Sequence, residues 1–461
     1  MHGGPAAAAT GQVSSLSAEV DLPYLMTANQ FTFDAVMAAT EAQRRPQGRS
    51  GTFTDNMKLP VHRWFRYSAG FSADWVMETI ADFVRTAGPK CRILDPFVGS
   101  GTTLLAAEGT GHGAVGWEVH PFIWRVAQAK LLWHLDPEQL VNCCVEVSVL
   151  AEKAGWKKGH HSVPDLLERC YSEDTLKSLK ALGDAYAELA TDDPHWELVW
   201  LAITAILRTC SFAGTAQWQY VLPNKRKLKS VEPHAAFRQM IALMAGDMRR
   251  VQDLGYRDSA ILLRHDARSR WGAAGQFDLV VTSPPYPNNY DYADATRLEM
   301  TFWGEIRGWA DLHDAVRKYL ITSCSQHSAK DKLDPQVLLA DAELSPLGDR
   351  IGRVVEKLGT VRLERGGKKT YHTMIAQYFI DMSLVWKSLR SSCCNGARIC
   401  YVIGDSAPYG VYVPVDEWLG QLALAAGFNS FSFEKIRDRN VKWRNRKHRV
   451  PLKEGRLWVE G

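Results

Sequence analysis

The stretch CRILDPFVGSGTTLLAAEGTGHGAVGWEVHPFIWRVAQAKLLW, Cys91 to Trp133, decides the fold. A short apolar strand, Cys91 to Asp95, runs into the glycine-bearing loop PFVGSGTT and a helix-forming LLAAEGTG. A second strand, Ala114 to Glu118, then leads into the helix PFIWRVAQAKLLW. Strand, loop, helix, strand and helix in this order form the repeating unit of a doubly wound, mostly parallel sheet. Upstream, Ser72 to Arg85 reads as a helix capped by Ser72, with Val76, Ile80 and Phe83 at helical spacing. Downstream, the strand rhythm returns at Ala260 to Leu263, followed by RHDAR, and at Phe277 to Thr282, followed by SPPYPNNYDY.

The same reading organises the rest of the chain. Residues 1–56 read as a flexible N-terminal region. Residues 57–135, 256–322 and 370–461 together read as the catalytic α/β domain. Residues 136–255 are mainly helical in pattern, with WELVWLAITAIL and FRQMIALMAGDMRRVQDL clearest, and read as a helical insertion. Residues 323–369 show little periodicity and read as a second insertion without an assigned role. A long helix from Tyr371 to Leu389 should end at Asn395-Gly396. The strand ARICYVIGD, a helix in VPVDEWLGQLALAAGF, and the segments FSFEKIRDRN and GRLWVEG follow, the last two as an antiparallel pair closing the sheet.

Composition excludes several classes. Of 461 residues, 46% are hydrophobic and 23% charged, the balance of a folded globular protein. The longest apolar run, Leu198 to Leu207, is far short of the ~20 residues a membrane span needs. The opening MHGGPAAAATGQ has neither the basic start nor the apolar stretch of a secretory signal, so a cytoplasmic location is expected. Nine cysteines, two pairs of them adjacent, suit a reducing compartment better than a disulfide framework, and no CxxC spacing offers a metal site. The formal net charge is only +4, but residues 432–461 carry ten Lys/Arg against four Asp/Glu, so the rest of the chain sums to −2.

In an open α/β sheet, ligands bind at the carboxyl ends of the strands, where a glycine turn lets backbone amides approach. DPFVGSGTT stands at that place. A phosphate loop fits poorly, because no lysine follows the glycines, and GxGxxG is not met. Glu118, roughly twenty residues on, is placed to accept hydrogen bonds from a ribose diol. Loop and acid together indicate an adenosine-containing cofactor without saying which. In the second loop, Ser283-Pro284-Pro285-Tyr286, two prolines fix the backbone and remove two donors, leaving carbonyls free to accept. Ser283 and the Pro284 carbonyl could take the N–H groups of a planar ligand held against Tyr286.

DPFVGSGT together with TSPPY resembles the S-adenosyl-L-methionine-dependent amino-methyltransferases of nucleic acids, specifically the bacterial DNA enzymes of restriction-modification and related defence systems. The resemblance implies a class I, Rossmann-like methyltransferase fold. It implies that Asp95, Phe97, Gly99, Gly101 and Thr102, with Pro96 and Val119 beside them, surround the cofactor, and that Glu118 holds its ribose. It places Asp266, next to Ala267, at the adenine amine. The segment HRWFRYSAGFS resembles the family's N-terminal cofactor motif, with Tyr67, Phe71 and Ser72 as its contact candidates. The glycine motif precedes SPPY, unlike in members whose catalytic half comes first. SPPY is more usual in cytosine-N4 enzymes, and DPPY or NPPY in adenine-N6 enzymes, so cytosine is favoured.

The mechanism implied is direct transfer to the amine of a base rotated out of double-stranded DNA and stacked on Tyr286, with Asn288, Asn289 and Tyr290 in the pocket wall. No Pro-Cys dipeptide is present to supply a covalent nucleophile. In the basic C-terminal loop Arg437, Arg439, Lys442, Trp443, Arg444, Arg446, Lys447 and Arg449 become phosphate-contact candidates. AQWQYVLPNKRKLK in the insertion, with Lys225 and Arg226, is a second, as a target-recognition element or a packing platform. An RNA base methyltransferase and a catalytically silent recognition module of a defence complex are the rival readings. A separate restriction or defence subunit would have to supply any nuclease activity.

Overall fold

A computed structural model describes residues 54–88, 90–156, 163–216, 220–272, 275–288, 291–326, 333–366, 369–439 and 450–461. The strands in chain order are β1 (Ile93–Asp95), β2 (Ala114–Trp117), β3 (Ala213–Thr215), β4 (Val221–Arg226), β5 (Ile261–Leu263), β6 (Phe277–Thr282), β7 (Cys393–Gly404), β8 (Ser430–Arg439) and β9 (Leu452–Glu460). Seven of them form one sheet in the order β5-β2-β1-β6-β7-β9-β8. The first five are mutually parallel, with Ile93 opposite Ala114 and Leu279, and Val280 opposite Ile399. β9 runs antiparallel to β7 and β8 antiparallel to β9. This is the expected Rossmann-like methyltransferase fold with its antiparallel C-terminal pair.

The central strands are apolar on both faces because helices cover both faces. Successive residues alternate between two cores. Ile93, Leu279, Val281, Cys400 and Val402 face the helices Ala73–Ala87, Thr102–Gly109 and Pro121–Leu131. Leu94, Val280, Ile399 and Tyr401 face the helices Tyr371–Ser392 and Val415–Ala425. The first helix starts where expected: Ser72 Oγ accepts from Trp75 N at 3.4 Å, and Val76, Ile80 and Phe83 are buried.

The insertion does not stand apart. Its helices Pro137–Ala154, Glu173–Leu189, His195–Cys210 and Pro233–Asp253 bury Leu140, Leu179, Trp200 and Met244 in the same core as Ile123 and Val126 of the helix after β2. It therefore thickens one helical layer of the sheet. Within it β3 and β4 form an antiparallel hairpin, which the mainly helical reading does not single out.

Two further differences from the sequence reading have local causes. The helix ending near Leu389 continues to Ser392 and passes directly into β7, and Asn395-Gly396 lies inside that strand. Gly396, at φ +77°, sits where the β6–β7 pairing slips between Phe277↔Cys393 and Leu279↔Arg398. The glycine serves a bulge, not a helix stop. Residues 323–369 contain the helices Pro335–Leu339 and Asp349–Glu364. The second buries only Ile351, Val355 and Leu358, a stripe too narrow to stand out among its charged residues. All nine cysteines are free thiols, and no described helix is long and apolar enough to cross a membrane.

Candidate active site

The strand order reverses between β1 and β6, so the carboxyl ends of these strands diverge and leave a crevice. Asp95, at the end of β1, lies outside the crevice lining, as do Gly101 and Thr102, although Pro96, Phe97 and Gly99 between them line it. The Asp95 side chain is fully buried, and Oδ1 accepts from Phe97 N at 2.9 Å and from Thr282 Oγ1, at the end of β6, at 2.6 Å. Oδ2 is buried without a hydrogen-bond partner among the described residues. Burial pushes this carboxyl up to about 6 against the pull of those donors. Gly99 and Gly101 have φ +54° and +95°, left-handed values that favour glycine. Gly101 precedes Thr102, the first residue of the helix that follows. The loop also lies flat on β2, where a Cβ on Gly116 would come 2.3 Å from Val98.

Glu118 follows β2 and is held by the glycine loop itself: Oε2 accepts from Gly99 N and Oε1 from His120 N, both at 2.8 Å. Each oxygen has acceptor capacity left for the crevice it lines. Desolvation raises its pKa from 4.5 to about 7, more than the His120 and Gly99 amides lower it. After β5, His265 packs its ring 4.7 Å from Trp117 and 5.2 Å from Trp271. Asp266 and Ala267 therefore reach the crevice wall. The Asp266 carboxylate is also engaged by Arg268, Nη2 to Oδ2 at 2.7 Å. Arg268 in turn donates to the Tyr319 carbonyl at 3.0 Å and fastens this loop to the 319–321 wall.

The strap 61–67 brings Tyr67 over Gly99, where a Cβ would lie 3.3 Å from the ring. Its anchor comes from the insertion. Asp247, 1% exposed, accepts from Val61 N at 3.1 Å, Trp64 Nε1 at 3.0 Å, and Arg63 Nε at 3.0 Å and Nη2 at 2.5 Å. Lys130 adds a buried donor, its Nζ 3.0 Å from the His62 carbonyl. Desolvation lowers Lys130 to about 7. Phe71 and Ser72 lie outside the crevice lining: Phe71 is a core residue packed on Trp75, and Ser72 is the helix cap. Nothing in the sequence pattern marked Asp247, which lies about 184 residues from the strap it holds.

In the second loop Ser283 Oγ donates to the Val402 carbonyl of β7 at 3.2 Å, which leaves the oxygen's lone pairs as acceptors. No described donor reaches the Pro284 carbonyl. Ser283 and Pro285 line the crevice, whereas Pro284 and Tyr286 lie just outside the lining. The Arg439 guanidinium carbon stands 5.2 Å from the centre of the Tyr286 ring. Arg439 is held there by the Asp405 carbonyl at 2.9 Å and Glu454 at 3.5 Å, and Arg437 pairs with Glu454 at 2.6 Å. These two arginines, expected at phosphates, are thus built into the hairpin that covers the tyrosine. Asn288 adopts φ +59° and donates its N–H to the Ser323 carbonyl at 2.7 Å. Asp291 N donates to Tyr220 Oη of the insertion at 2.7 Å, and its carboxylate pairs with buried Arg317 at 2.7 Å.

One crevice of about 650 Å³, counting its open mouth, thus gathers Tyr67, Pro96, Phe97, Gly99, Glu118, Val119, Asp266, Ala267 and Ser283. Sequence reading missed its neighbours His265, Tyr292 and Ile321, which line the same space. Lys225 and Arg226 are exposed on β4. Asn289, Tyr290, Lys442, Trp443, Arg444, Arg446, Lys447 and Arg449 lie outside the described residues.

Comparison with known proteins points the same way. The methyltransferase M.BsoBI of Geobacillus stearothermophilus, Type II, is 23% identical over 434 residues, covering 84% of this chain and 82% of the relative. This chain is similar to Type II methyltransferases. M.AvaI of Anabaena variabilis is 25% identical over 407 residues, 82% of this chain and 81% of the relative. M.MvaI of Kocuria varians is 23% identical over 255 residues, 51% of this chain and 55% of the relative. No family model matches the chain. With two Type II methyltransferases aligning over more than four fifths of the chain, the similarity takes in the insertion as well as the sheet.

Proposed function

We propose that the chain is a site-specific DNA methyltransferase that moves a methyl group from S-adenosylmethionine to the exocyclic amine of a flipped-out base, cytosine N4. The observation that carries this reading is the acceptor-only character of the SPPY corner: Ser283 spends its proton on Val402 O, and the Pro284 carbonyl has no described donor. An amine conjugated to a ring is a weak nucleophile. Two acceptors on its N–H groups hold the nitrogen pyramidal and aim its lone pair into the crevice. The amine is itself the nucleophile: it takes the methyl group as the methyl–sulfur bond breaks and then sheds a proton to solvent, so no side-chain nucleophile is required. We further read residues 57–135, 256–322 and 370–461 as the catalytic unit.

The residues of the crevice fit the cofactor. Gly99, left-handed on the crevice lining, and the paired oxygens of Glu118 are a cradle for an amino acid end and a ribose, with the unpartnered Asp95 Oδ2 buried behind the same loop. Phe97 and Ala267 supply apolar walls for a purine. When bound, the cofactor supplies an electrophilic methyl group, and the chain supplies orientation and exclusion of water.

A pH dependence follows from Glu118. Its pKa in the folded chain is raised from 4.5 to about 7, so its neutral form stabilises the fold fully below pH 4.5. That contribution is lost as pH rises through 7. The ionised form is the better acceptor for a diol, so cofactor affinity is expected to rise between about pH 6 and pH 8. Calorimetric titration should show that rise in the wild type and a flatter profile in Glu118→Gln. Equal profiles would separate Glu118 from the ribose.

The polymer substrate is tested by incubating the purified protein with methyl-labelled cofactor and, in parallel, mixed-sequence duplex DNA and RNA. Label in DNA is expected. Label confined to RNA, or none in either, overturns the proposal.

A further inference from the structure

A second cleft, of about 1280 Å³ counting its open mouth, lies between the strap and the insertion. Its lining carries three cations, Arg66, Arg208 and Lys227, two exposed threonines, Thr209 and Thr215, and one carboxylate, Glu299. Glu299 is fully buried, and both its oxygens are taken by Arg208, at 2.5 and 3.0 Å. Lys227 Nζ sits 2.5 Å from the Arg208 carbonyl. The lining therefore has a net charge of +2 and hydroxyl donors beside it, the chemistry that attracts a phosphodiester.

Two stretches of chain lead from the cleft toward the crevice. Arg66 adjoins Tyr67 of the crevice lining, and the β3–β4 hairpin that carries Thr215 also supplies Tyr220, which receives the Asp291 N–H beyond the SPPY loop. On either side of Lys227 the chain offers exposed Lys225, Arg226 and Lys229, with a fully exposed Leu228. One phosphate would not use a space this large or a cationic run this long.

We propose that this cleft holds the sugar-phosphate backbone of the DNA duplex whose base enters the crevice, with Arg66 and Lys227 as its phosphate contacts. The proposal rests on the DNA reading of the crevice. Its test is the affinity of a labelled mixed-sequence duplex between about 50 and 200 mM salt for the wild type, Arg66→Gln and Lys227→Gln. Each variant is expected to make the slope of log affinity against log salt shallower by about 0.9 and to weaken binding several-fold. Lys227→Arg should restore the slope, which a merely unfolded variant would not allow. Unchanged slopes in both variants overturn the proposal. So does a cleft that takes inorganic phosphate or RNA in place of duplex DNA.

Methyl transfer by the wild type, measured separately, distinguishes the two claims. Variant-sensitive slopes without any transfer to DNA would overturn the enzymatic reading alone. Transfer with variant-insensitive slopes would overturn the cleft alone.

Discussion

Replacing Ser283 with alanine is expected to lower kcat for methyl transfer about 10²-fold while leaving cofactor affinity within about twofold. The hydroxyl is oriented by Val402 O so that only lone pairs face the incoming amine. Alanine removes one of the two acceptors that localise the amine lone pair, and that interaction matters most as the new bond forms. The fold should tolerate the change, because Ser283 is half-buried and its hydroxyl bonds only the Val402 carbonyl, at 3.2 Å, and the neighbouring Tyr286 among the described residues. Single-turnover transfer from labelled cofactor reads the rate directly, and calorimetry reads the affinity. A variant with full kcat would show that the SPPY corner does not act as an acceptor.

Asp247→Ala is expected to cost about 3–5 kcal/mol of stability, because it leaves the buried N–H groups of Val61 and Trp64 and the part-buried Arg63 guanidinium without their acceptor. Val61 N, Trp64 Nε1 and the Arg63 guanidinium all converge on this one carboxylate. The strap they belong to carries Tyr67 onto the glycine loop. Where the variant still folds, KM for the cofactor should rise several-fold with a smaller change in kcat, the pattern of a loosened binding wall. Arg63→Gln, at a site one-third exposed, should give the same KM effect at a smaller loss of stability. Thermal denaturation and cofactor titration check both. An unchanged melting temperature in Asp247→Ala would mean that the strap is held elsewhere.

The sheet was legible in the sequence because each central strand is a short apolar run that ends in a polar loop of fixed character. DPFVGSGT and TSPPY stood out for the same reason, with glycines and prolines at positions where the backbone is constrained. The crevice they form brings together residues from Tyr67 to Ser283 that local reading could only place one loop at a time. What stayed hidden depends on distant pairing. Asp247 is one acid among many until the helix Pro233–Asp253 packs beside the strap. Arg439 read as a phosphate-contact candidate, and its place over Tyr286 depends on β8 pairing antiparallel with β9 at the sheet edge. The helix Asp349–Glu364 escaped notice because three buried residues in sixteen give a weak period.

Cytosine N4 is the acceptor proposed for the crevice. The most direct measurement is mass analysis of nucleosides released from duplex DNA after incubation with the purified protein and labelled cofactor, alongside Ser283→Ala. Labelled N4-methylcytosine is expected from the wild type and about a hundredth of it from the variant. Label on the adenine amine would contradict the choice of base, and no labelled nucleoside from the wild type would contradict the account as a whole.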